Sequence, residues 1–192
     1  SASAPHGPEG PIYPGTCRGT RNCHNLPCSM IPRPYEQHLR LDIVFARAMV
    51  GHSSIDGPEG GPATHRNLLY FQETGPAHRG LIALEPDHYT RAVGDIILAR
   101  RDFGTSYHLA VVLDDAAQGV THVTRGEDLF EATAIHVLIQ ALLELPTPNY
   151  HHHKLIRDED GKRLAKRDDA RAIATYRAEG ASPQDIRRMV GL

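Results

Sequence analysis

The stretch Thr105–Leu129, TSYHLAVVLDDAAQGVTHVTRGEDL, contains two apolar runs on either side of the polar turn DDAAQG. The first run, LAVVL, is short, unbroken and rich in β-branched residues, which is typical of a strand buried on both faces. The second run is GVTHV. We therefore predict a strand–turn–strand unit that brings Tyr107 and Arg125, at its two ends, into one cleft. On the pattern alone, an ordinary core hairpin is the favoured interpretation.

The composition limits the class of protein. A chain of 192 residues can form one ordinary domain with a substantial core. The formal charge of −2 indicates that any nucleic-acid-binding surface is local. No apolar run is long enough to cross a membrane, no signal peptide is visible, and an odd number of cysteines argues against a disulfide framework. These features predict a cytoplasmic protein. The opening SASAPHGPEGPIYPG lacks methionine and resembles an internal loop, so we expect a fragment.

The rest of the chain alternates strand and helix patterns, which predicts an α/β fold. Four segments are predicted as strands, namely Leu39–Ile43 (followed by a short helix), Leu68–Gln72, Asp95–Arg100 and Tyr150–Ile156. The clearest helix is Leu129–Leu143, whose apolar residues recur at helical spacing before Pro146 stops it. Later helices are predicted at Asp168–Ala178 and after Ser182, which has the pattern of an N-cap followed by proline.

A family resemblance changes the interpretation of the central stretch. Tyr-His-Leu-Ala-Val-Val-Leu-Asp-Asp, then Gly-Val-Thr-His-Val and Arg-Gly-Glu-Asp, closely resemble the glutamyl-tRNA synthetase family of class I synthetases. The resemblance covers positions 9–18 and 94–170 well. It implies the C-terminal half of a Rossmann-like nucleotide-binding fold with short C-terminal helices. The HIGH-like signature of the family's N-terminal half does not occur in this sequence, so that half is expected to be missing.

The resemblance also implies roles for individual residues. Arg125 would bind the side-chain carboxylate of glutamate, with Tyr107 beside it, because a guanidinium can hold a carboxylate through paired hydrogen bonds. The segment Arg163–Arg167 resembles the mobile KMSKS loop. Its Lys166 lies 41 positions after Arg125, a spacing that also resembles the family's. Lys166 is the expected catalytic residue, and Lys166 and Arg163 are expected to bind ATP, where cations stabilise the departing pyrophosphate. Without the resemblance, a core tyrosine, an arginine paired with Asp128 and a solvated basic loop would be favoured.

Two other clusters suggest metal binding. Cys17, Cys23 and Cys28 lack the tight pairs of a strong zinc motif. The resemblance implies that Tyr13 and Cys17 are half of a zinc site whose upstream C-x-C pair is absent here, so zinc is expected in the full-length parent and not in this chain. The triplet His151-His152-His153 lies on a predicted strand, where alternation leaves at most His151 and His153 on one face. With no carboxylate or cysteine partner apparent, we interpret these histidines as packed beside a nucleotide pocket.

The length of the chain favours one branch of the family. Only about two short helices follow Lys166, whereas glutamyl-tRNA synthetases proper carry an anticodon-binding domain there. The tRNA-modifying branch, which activates glutamate with ATP and Mg²⁺ and transfers it to the queuosine base of tRNA(Asp), is therefore the expected match. Its partners are L-glutamate, ATP and the tRNA(Asp) anticodon stem-loop, with no DNA and no membrane. The alternatives are a fragment of a glutamyl-tRNA synthetase proper or a non-catalytic nucleotide- or tRNA-binding remnant.

We expect four regions along the chain. Residues 1–35 form a loop-rich remnant of the zinc-binding segment, and residues 36–93 are a connecting or inserted region with no assigned function. Residues 94–167 form the second half of the catalytic domain, including the KMSKS-like loop. Residues 168–192 form the C-terminal helices. Because the half that carries the HIGH signature is missing, the isolated chain is expected to be inactive.

Overall fold

The computed structural model describes residues 6–7, 10–11, 38–50, 68–102, 104–157, 161 and 172–191. The chain divides into two compact units, residues 1–153 and 154–192. The first unit is a mixed α/β structure, which confirms the predicted fold class. Its strands are β1 His6–Gly7, β2 Gly10–Pro11, β3 Leu39–Leu41, β4 Leu69–Glu73, β5 Gly80–Leu84, β6 Ile96–Ala99, β7 His122–Gly126 and β8 Asn149–His153. Its helices are α1 Ile43–Val50, α2 Pro86–His88 (continued by a π-helical turn, Tyr89–Val93), α3 Tyr107–Ala117 and α4 Thr133–Leu142, which follows a 3-10 turn at Glu127–Leu129.

Four strands form the central sheet, in the order β5-β4-β8-β7. Strand β5 runs antiparallel to β4, whereas β4, β8 and β7 are parallel to one another. The parallel strands are joined in sequence through helices, as parallel connections require. Strands β3 and β6 form a separate antiparallel pair, and β1 and β2 form another.

Helix α4 is the central element of the core. Eight of its ten residues are buried, from Thr133 to Gln140. Its apolar side chains pack with those of α1, the π-helical turn and the central sheet, including Ile43, Phe71, Tyr89, Val93, Ile135, Leu138, Ile139 and Tyr150. A helix that is buried nearly all round carries few polar residues, so the polar side chains that α4 does contain require partners.

Helix α3 contradicts the strand predicted for LAVVL. The run lies inside Tyr107–Ala117, so the unit is helix–turn–strand, and β7 begins at His122, later than the GVTHV run predicts. Ser106 starts the helix, because its side chain accepts a hydrogen bond from the Leu109 backbone N–H. The helix then buries His108 and Val112, four residues apart on one face. Five apolar residues alone do not distinguish a buried strand from a buried helical turn.

The other predicted elements are confirmed, with boundaries shifted by a few residues. The Leu39–Ile43 pattern divides into β3 and the start of α1. Strands β4, β6 and β8 occupy the segments predicted for them. Helix α4 ends at Leu142, shortly before Pro146.

In the second unit, the described residues form two short helices, α5 Ile173–Ala178 and α6 Pro183–Val190. The prediction of a helix at Asp168–Ala178 lies partly outside the described residues. Helix α6 begins as predicted, with Ser182 and Asp185 forming a capping box and Pro183 in the first turn. Among the helices of the described ranges, none is both long enough and apolar enough to cross a membrane.

Candidate functional site

The pairing of two parallel strands places Arg125 in the first unit. Arg125 on β7 is the register partner of His152 on β8, and Val123 is the partner of Tyr150. Because side chains two residues apart point to the same face of a sheet, Arg125 lies beside His152 and close to Tyr150. Arg125 Nε donates a hydrogen bond to His152 Nε2 over 3.0 Å, and the guanidinium lies 5.2 Å from the centre of the Tyr150 ring. Two of the arginine's contacts therefore come from β8.

Helix α4 supplies further partners from above the sheet. Thr133, His136 and Gln140 are spaced by three and four residues and so lie on one face of the helix. Arg125 Nη2 donates to Thr133 Oγ1 over 2.7 Å, and Nη1 lies 3.0 Å from His136 Nδ1. Gln140 Nε2 donates to the Tyr150 hydroxyl over 3.2 Å. The polar side chains of this apolar helix are thus directed at one end of the sheet.

Glu73, at the end of β4, anchors His152 from the other side. Its Oε1 accepts hydrogen bonds from the backbone N–H groups of His152 (3.0 Å) and Gly75 (2.6 Å), and its Oε2 lies 2.5 Å from His152 Nδ1. Burial raises the pKa of the fully buried Glu73, but the hydrogen bonds from His152 and Gly75 outweigh it and leave the pKa below its usual value. Glu73 is therefore ionised. Any other residue at position 75 would clash, because its Cβ would lie 2.3 Å from the His152 carbonyl oxygen.

The hydrogen-bond pattern assigns the tautomer of each buried histidine. Because Arg125 Nε–H donates to His152 Nε2, the His152 proton sits on Nδ1 and is directed at Glu73. Burial lowers the pKa of His152, with Glu73 opposing and Arg125 adding to the effect. In the same way, His136 accepts at Nδ1 from Arg125 and donates from Nε2 to His108 Nδ1 over 2.8 Å. Burial, with the nearby charge of Arg125, lowers the pKa of His136 to about 3. Both imidazoles are uncharged at neutral pH.

We call the connected side chains the Arg125 network; its members are Arg125, His152, Glu73, Thr133, His136 and His108. The network borders a cavity of about 290 Å³ between α3, α4 and the sheet. Arg125 and His136 line it together with Tyr107, Asp115, Gln140 and Tyr150, among others. Burial lowers the pKa of Arg125, while the nearby Tyr150, Tyr107 and Asp115 raise it. The guanidinium remains protonated at neutral pH, so the cavity contains a fixed cation.

The predicted cleft is present, although its first half is helical. Tyr107 opens α3 and Arg125 lies on β7, and the two side chains line the same cavity. Tyr107 is 56% exposed, which excludes the alternative of a core tyrosine. The other predicted site residues, Tyr13, Cys17, Arg163 and Lys166, lie outside the described residues. Their roles stay predictions.

The histidine triplet alternates as predicted, and it has a carboxylate partner that was not apparent from the sequence. His152 is buried against Glu73, 79 positions earlier in the chain, whereas His151 contacts Thr74 and His153 is exposed. Among the described residues, no group of three or more His, Cys, Asp or Glu side chains is placed to hold a metal ion. His152 is a member of the Arg125 network, whereas His151 bonds separately to Thr74.

Sequence reasoning missed Glu73, Thr133, His136 and Gln140. One signal was available for the three on α4, because their spacing puts polar side chains together on a helix that is otherwise apolar. For Glu73 there was none, since its partner lies far along the chain and only the pairing of β4 with β8 joins them.

Comparisons with known sequences and structures find related proteins. A family model for the catalytic domain of class I tRNA synthetases (E and Q) matches residues 70–192. Glutamyl-Q tRNA(Asp) synthetase of Rhodobacter capsulatus is 57% identical over 98% of this chain and 59% of its own length. The Nocardia farcinica protein of the same name is 34% identical over 97% of this chain and 49% of its own length. A crystal structure of a glutamate tRNA ligase from Elizabethkingia meningosepticum, 27% identical, aligns with 65% of this chain and 27% of that chain at a TM-score of 0.49.

The chain spans about half to three-fifths of the length of these two synthetase relatives. Both names agree with the resemblance of the central stretch, which lies inside the segment that the family model matches. Since that segment makes up more than half of the sequence, the chain belongs to the class I tRNA synthetases of the E and Q type.

Proposed function

We propose that this chain provides the glutamate-binding part of an enzyme that activates glutamate with ATP and transfers it to the queuosine base of tRNA(Asp). The observation that carries the proposal is the fixed position of Arg125, a partly buried cation facing a cavity with Tyr107 at its edge. Glutamate has two carboxylates, and a guanidinium is the side chain best suited to hold one of them. The names of the two synthetase relatives support the choice of substrate and acceptor.

Binding of the side-chain carboxylate by Arg125 leaves the α-carboxylate to react. An oxygen of the α-carboxylate attacks the α-phosphorus of ATP, a new C–O–P bond forms, and the bond from that phosphorus to the departing pyrophosphate breaks. The products are glutamyl-adenylate and pyrophosphate. Tyr107 contributes a hydroxyl that can donate a hydrogen bond to the substrate without adding charge.

Lys166 and Arg163 complete the proposal from the KMSKS-like loop. Negative charge grows on the pyrophosphate as it leaves, and a lysine close to it stabilises that charge in the transition state. We assign this role to Lys166 and phosphate contacts to Arg163. Mg²⁺ accompanies the ATP phosphates as part of the substrate.

The remaining parts belong to a longer cytoplasmic protein. It would contribute the HIGH-bearing half that binds ATP, and a zinc site formed by Tyr13, Cys17 and an upstream C-x-C pair. Its tRNA partner would be recognised by shape and local charge at the anticodon stem-loop, consistent with the small net charge of this chain.

A second candidate is a piece of a glutamyl-tRNA synthetase proper. A glutamate–tRNA ligase of Desulfitobacterium hafniense is 36% identical over 59% of this chain. The acceptor distinguishes the two functions. Radiolabelled glutamate would be attached to queuosine-containing tRNA(Asp) by the first enzyme and to tRNA(Glu) by the second.

ATP–pyrophosphate exchange in the longer protein tests the proposed site. Arg125→Gln is expected to lower kcat/KM for glutamate by about 30-fold or more, because truncating one partner of a hydrogen-bonded charge pair costs about 2–5 kcal/mol. Lys166→Ala is expected to lower kcat in the same assay. Arg91→Gln is the matched control, since Arg91 is an exposed arginine that pairs with Asp87 on the surface. Exchange that survives both site substitutions unchanged would contradict the assignment.

The isolated 192-residue chain provides a separate test of the fragment hypothesis. We expect it to catalyse no exchange, because the proposed ATP-binding half is supplied by the longer protein. Clear turnover by the isolated chain would show that ATP is bound by residues present in this sequence.

A further inference from the structure

We propose that His136 is a positioning residue that makes the cavity selective for a negatively charged side chain, because it fixes the Arg125 guanidinium while carrying no charge. The inference rests on the proposed function, in which Arg125 binds the glutamate side chain. It assigns the preference for glutamate over glutamine, its neutral amide, to His136 in addition to Arg125.

The donors of Arg125 support this role. A guanidinium has five N–H groups, and three of them are directed at His152, His136 and Thr133. Each of the three contacts is 3.0 Å or shorter, and together they hold the plane of the guanidinium from two elements, β8 and α4. The N–H groups that remain belong to Nη1 and Nη2. The side chain therefore approaches a ligand in one orientation.

All three fixed partners are uncharged. Thr133 has no charge, and the hydrogen-bond pattern leaves His152 and His136 as neutral imidazoles. Among the residues that the structure describes, no carboxylate forms an ion pair with Arg125. The nearby carboxylate of Glu73 accepts from His152 and from two backbone N–H groups. Asp115, which lines the same cavity and raises the pKa of Arg125, forms no ion pair with it among the described contacts, so the positive charge of Arg125 is not neutralised by direct contact.

His136 is the partner whose chemistry matters most. It is 2% exposed and lies between Arg125 and His108, with its ring 6.0 Å from that of Tyr107. It also lines the cavity. Its low pKa, caused by burial and by the charge of Arg125, agrees with a permanently neutral acceptor. A carboxylate at this position would accept the same hydrogen bond and cancel the charge that an anionic ligand needs.

The consequence is a difference between glutamate and glutamine. A carboxylate gains both hydrogen bonds and attraction to an unneutralised cation, whereas a carboxamide gains hydrogen bonds only. Removing the net charge at Arg125 should therefore weaken the binding of glutamate strongly and the binding of glutamine only a little. If the role of His136 were purely structural, substituting it would weaken the binding of both ligands alike.

The test uses ATP–pyrophosphate exchange in the longer protein, with KM for glutamate, kcat, and the inhibition constant of glutamine as readouts. His136→Glu is expected to raise KM for glutamate on the order of 30-fold, with kcat little changed and the glutamine constant altered by less than about 3-fold. His136→Gln, whose amide can accept from Arg125 and donate to His108, is expected to stay within about 3-fold of the parent for both ligands. Leu113→Glu, on the exposed face of α3, is the control for an added negative charge.

A second comparison applies if thermal melting shows that His136→Glu does not fold. His136→Ala removes the acceptor without adding charge, and it should raise KM for glutamate about 10-fold, more than it raises the glutamine constant. Equal effects on the two ligands, or no effect of either substitution, would overturn the proposal. Loss of glutamate use in Arg125→Gln together with unaffected His136 variants would refute only the positioning role. An unaffected Arg125→Gln would refute the proposed function itself.

Discussion

Arg125 is held by side chains that come from two elements, and the orientation of each depends on a further partner. His152 is oriented by Glu73, and His136 is linked to His108 on α3. A cation held in this way is pre-organised for a carboxylate, because little rotational freedom remains to be lost on binding. In the proposed function, the neighbours of Arg125 thus contribute to ligand binding as well as its own charge.

Glu73 allows a test of this dependence at one atom. Glu73→Gln replaces Oε2 by an NH₂ group that would face the Nδ1–H of His152, so two donors meet. If the imidazole changes tautomer instead, its Nε2–H then faces Arg125 Nε–H. Either conflict should lower the free energy of unfolding by about 1–3 kcal/mol and raise KM for glutamate. Urea denaturation and exchange kinetics would measure the two effects.

The control for this substitution is Glu85→Gln, at an exposed glutamate just before α2. It makes the same chemical change without a buried partner, so its effect should stay within about 0.5 kcal/mol. Equal stability of the two variants would show that the Glu73–His152 contact contributes nothing measurable.

At the scale of elements, the start of α3 decides where Tyr107 lies. Ser106 is the N-cap of this helix and Tyr107 is the residue that follows it. Ser106→Ala removes the hydrogen bond to Leu109 N–H, so we expect a loss of about 1 kcal/mol in unfolding free energy. Fraying of the first turn would also displace Tyr107 from the cavity and raise KM for glutamate.

Thr105→Ala is a suitable comparison, since Thr105 is the exposed neighbour of Ser106 and its hydroxyl donates a hydrogen bond to the Ser106 carbonyl. Thermal melts and exchange kinetics of the two variants would separate capping from a general effect of losing a hydroxyl. A Ser106→Ala protein no less stable than the Thr105→Ala protein would contradict the capping role.

At the scale of the whole molecule, the Arg125 network makes stability depend on pH. The pKa of His136 falls from 6.5 to about 3 on folding, and that of His152 falls as well. Between pH 6.5 and about pH 3, His136 is protonated in the unfolded chain and neutral in the folded one. The free energy of unfolding is therefore greatest above pH 6.5 and decreases as the pH is lowered. The pKa of Glu73 is also lowered on folding, so the stabilising contribution of this carboxylate is lost as the pH falls through its pKa in the folded protein. The two histidines and Glu73 therefore all decrease the free energy of unfolding as the pH is lowered.

The expected slope is about 1.4 kcal/mol per pH unit for each such group in the range where it differs from the unfolded chain. Urea midpoints measured between pH 7 and pH 4 would show it, and His136→Gln should flatten the curve because the titrating group is gone. A midpoint that stays constant over this range would contradict the buried neutral state of His136.

Much of the fold was predictable from local pattern. The apolar period of α4, the runs that became β4 and β6, and the Ser182-Pro183 start of α6 are confirmed, since each is a signal contained in a few neighbouring residues. The LAVVL run was predicted wrongly as a strand. Its β-branched residues favour a strand locally, but the Ser106 cap and the packing of His108 and Val112 make it a helix.

The sequence by itself determined the family, the α/β class and the choice of Tyr107 and Arg125 as the candidate glutamate-binding pair. The family and the candidate pair follow from the resemblance of a contiguous motif, and the α/β class follows from the alternation of strand and helix patterns. Only the tertiary structure decided what surrounds Arg125. Glu73, His136 and His152 are far apart along the chain, and they meet because β4, β7 and β8 pair in parallel while α4 packs over them. Contacts between distant residues follow from strand register and helix packing, and local sequence patterns do not encode either.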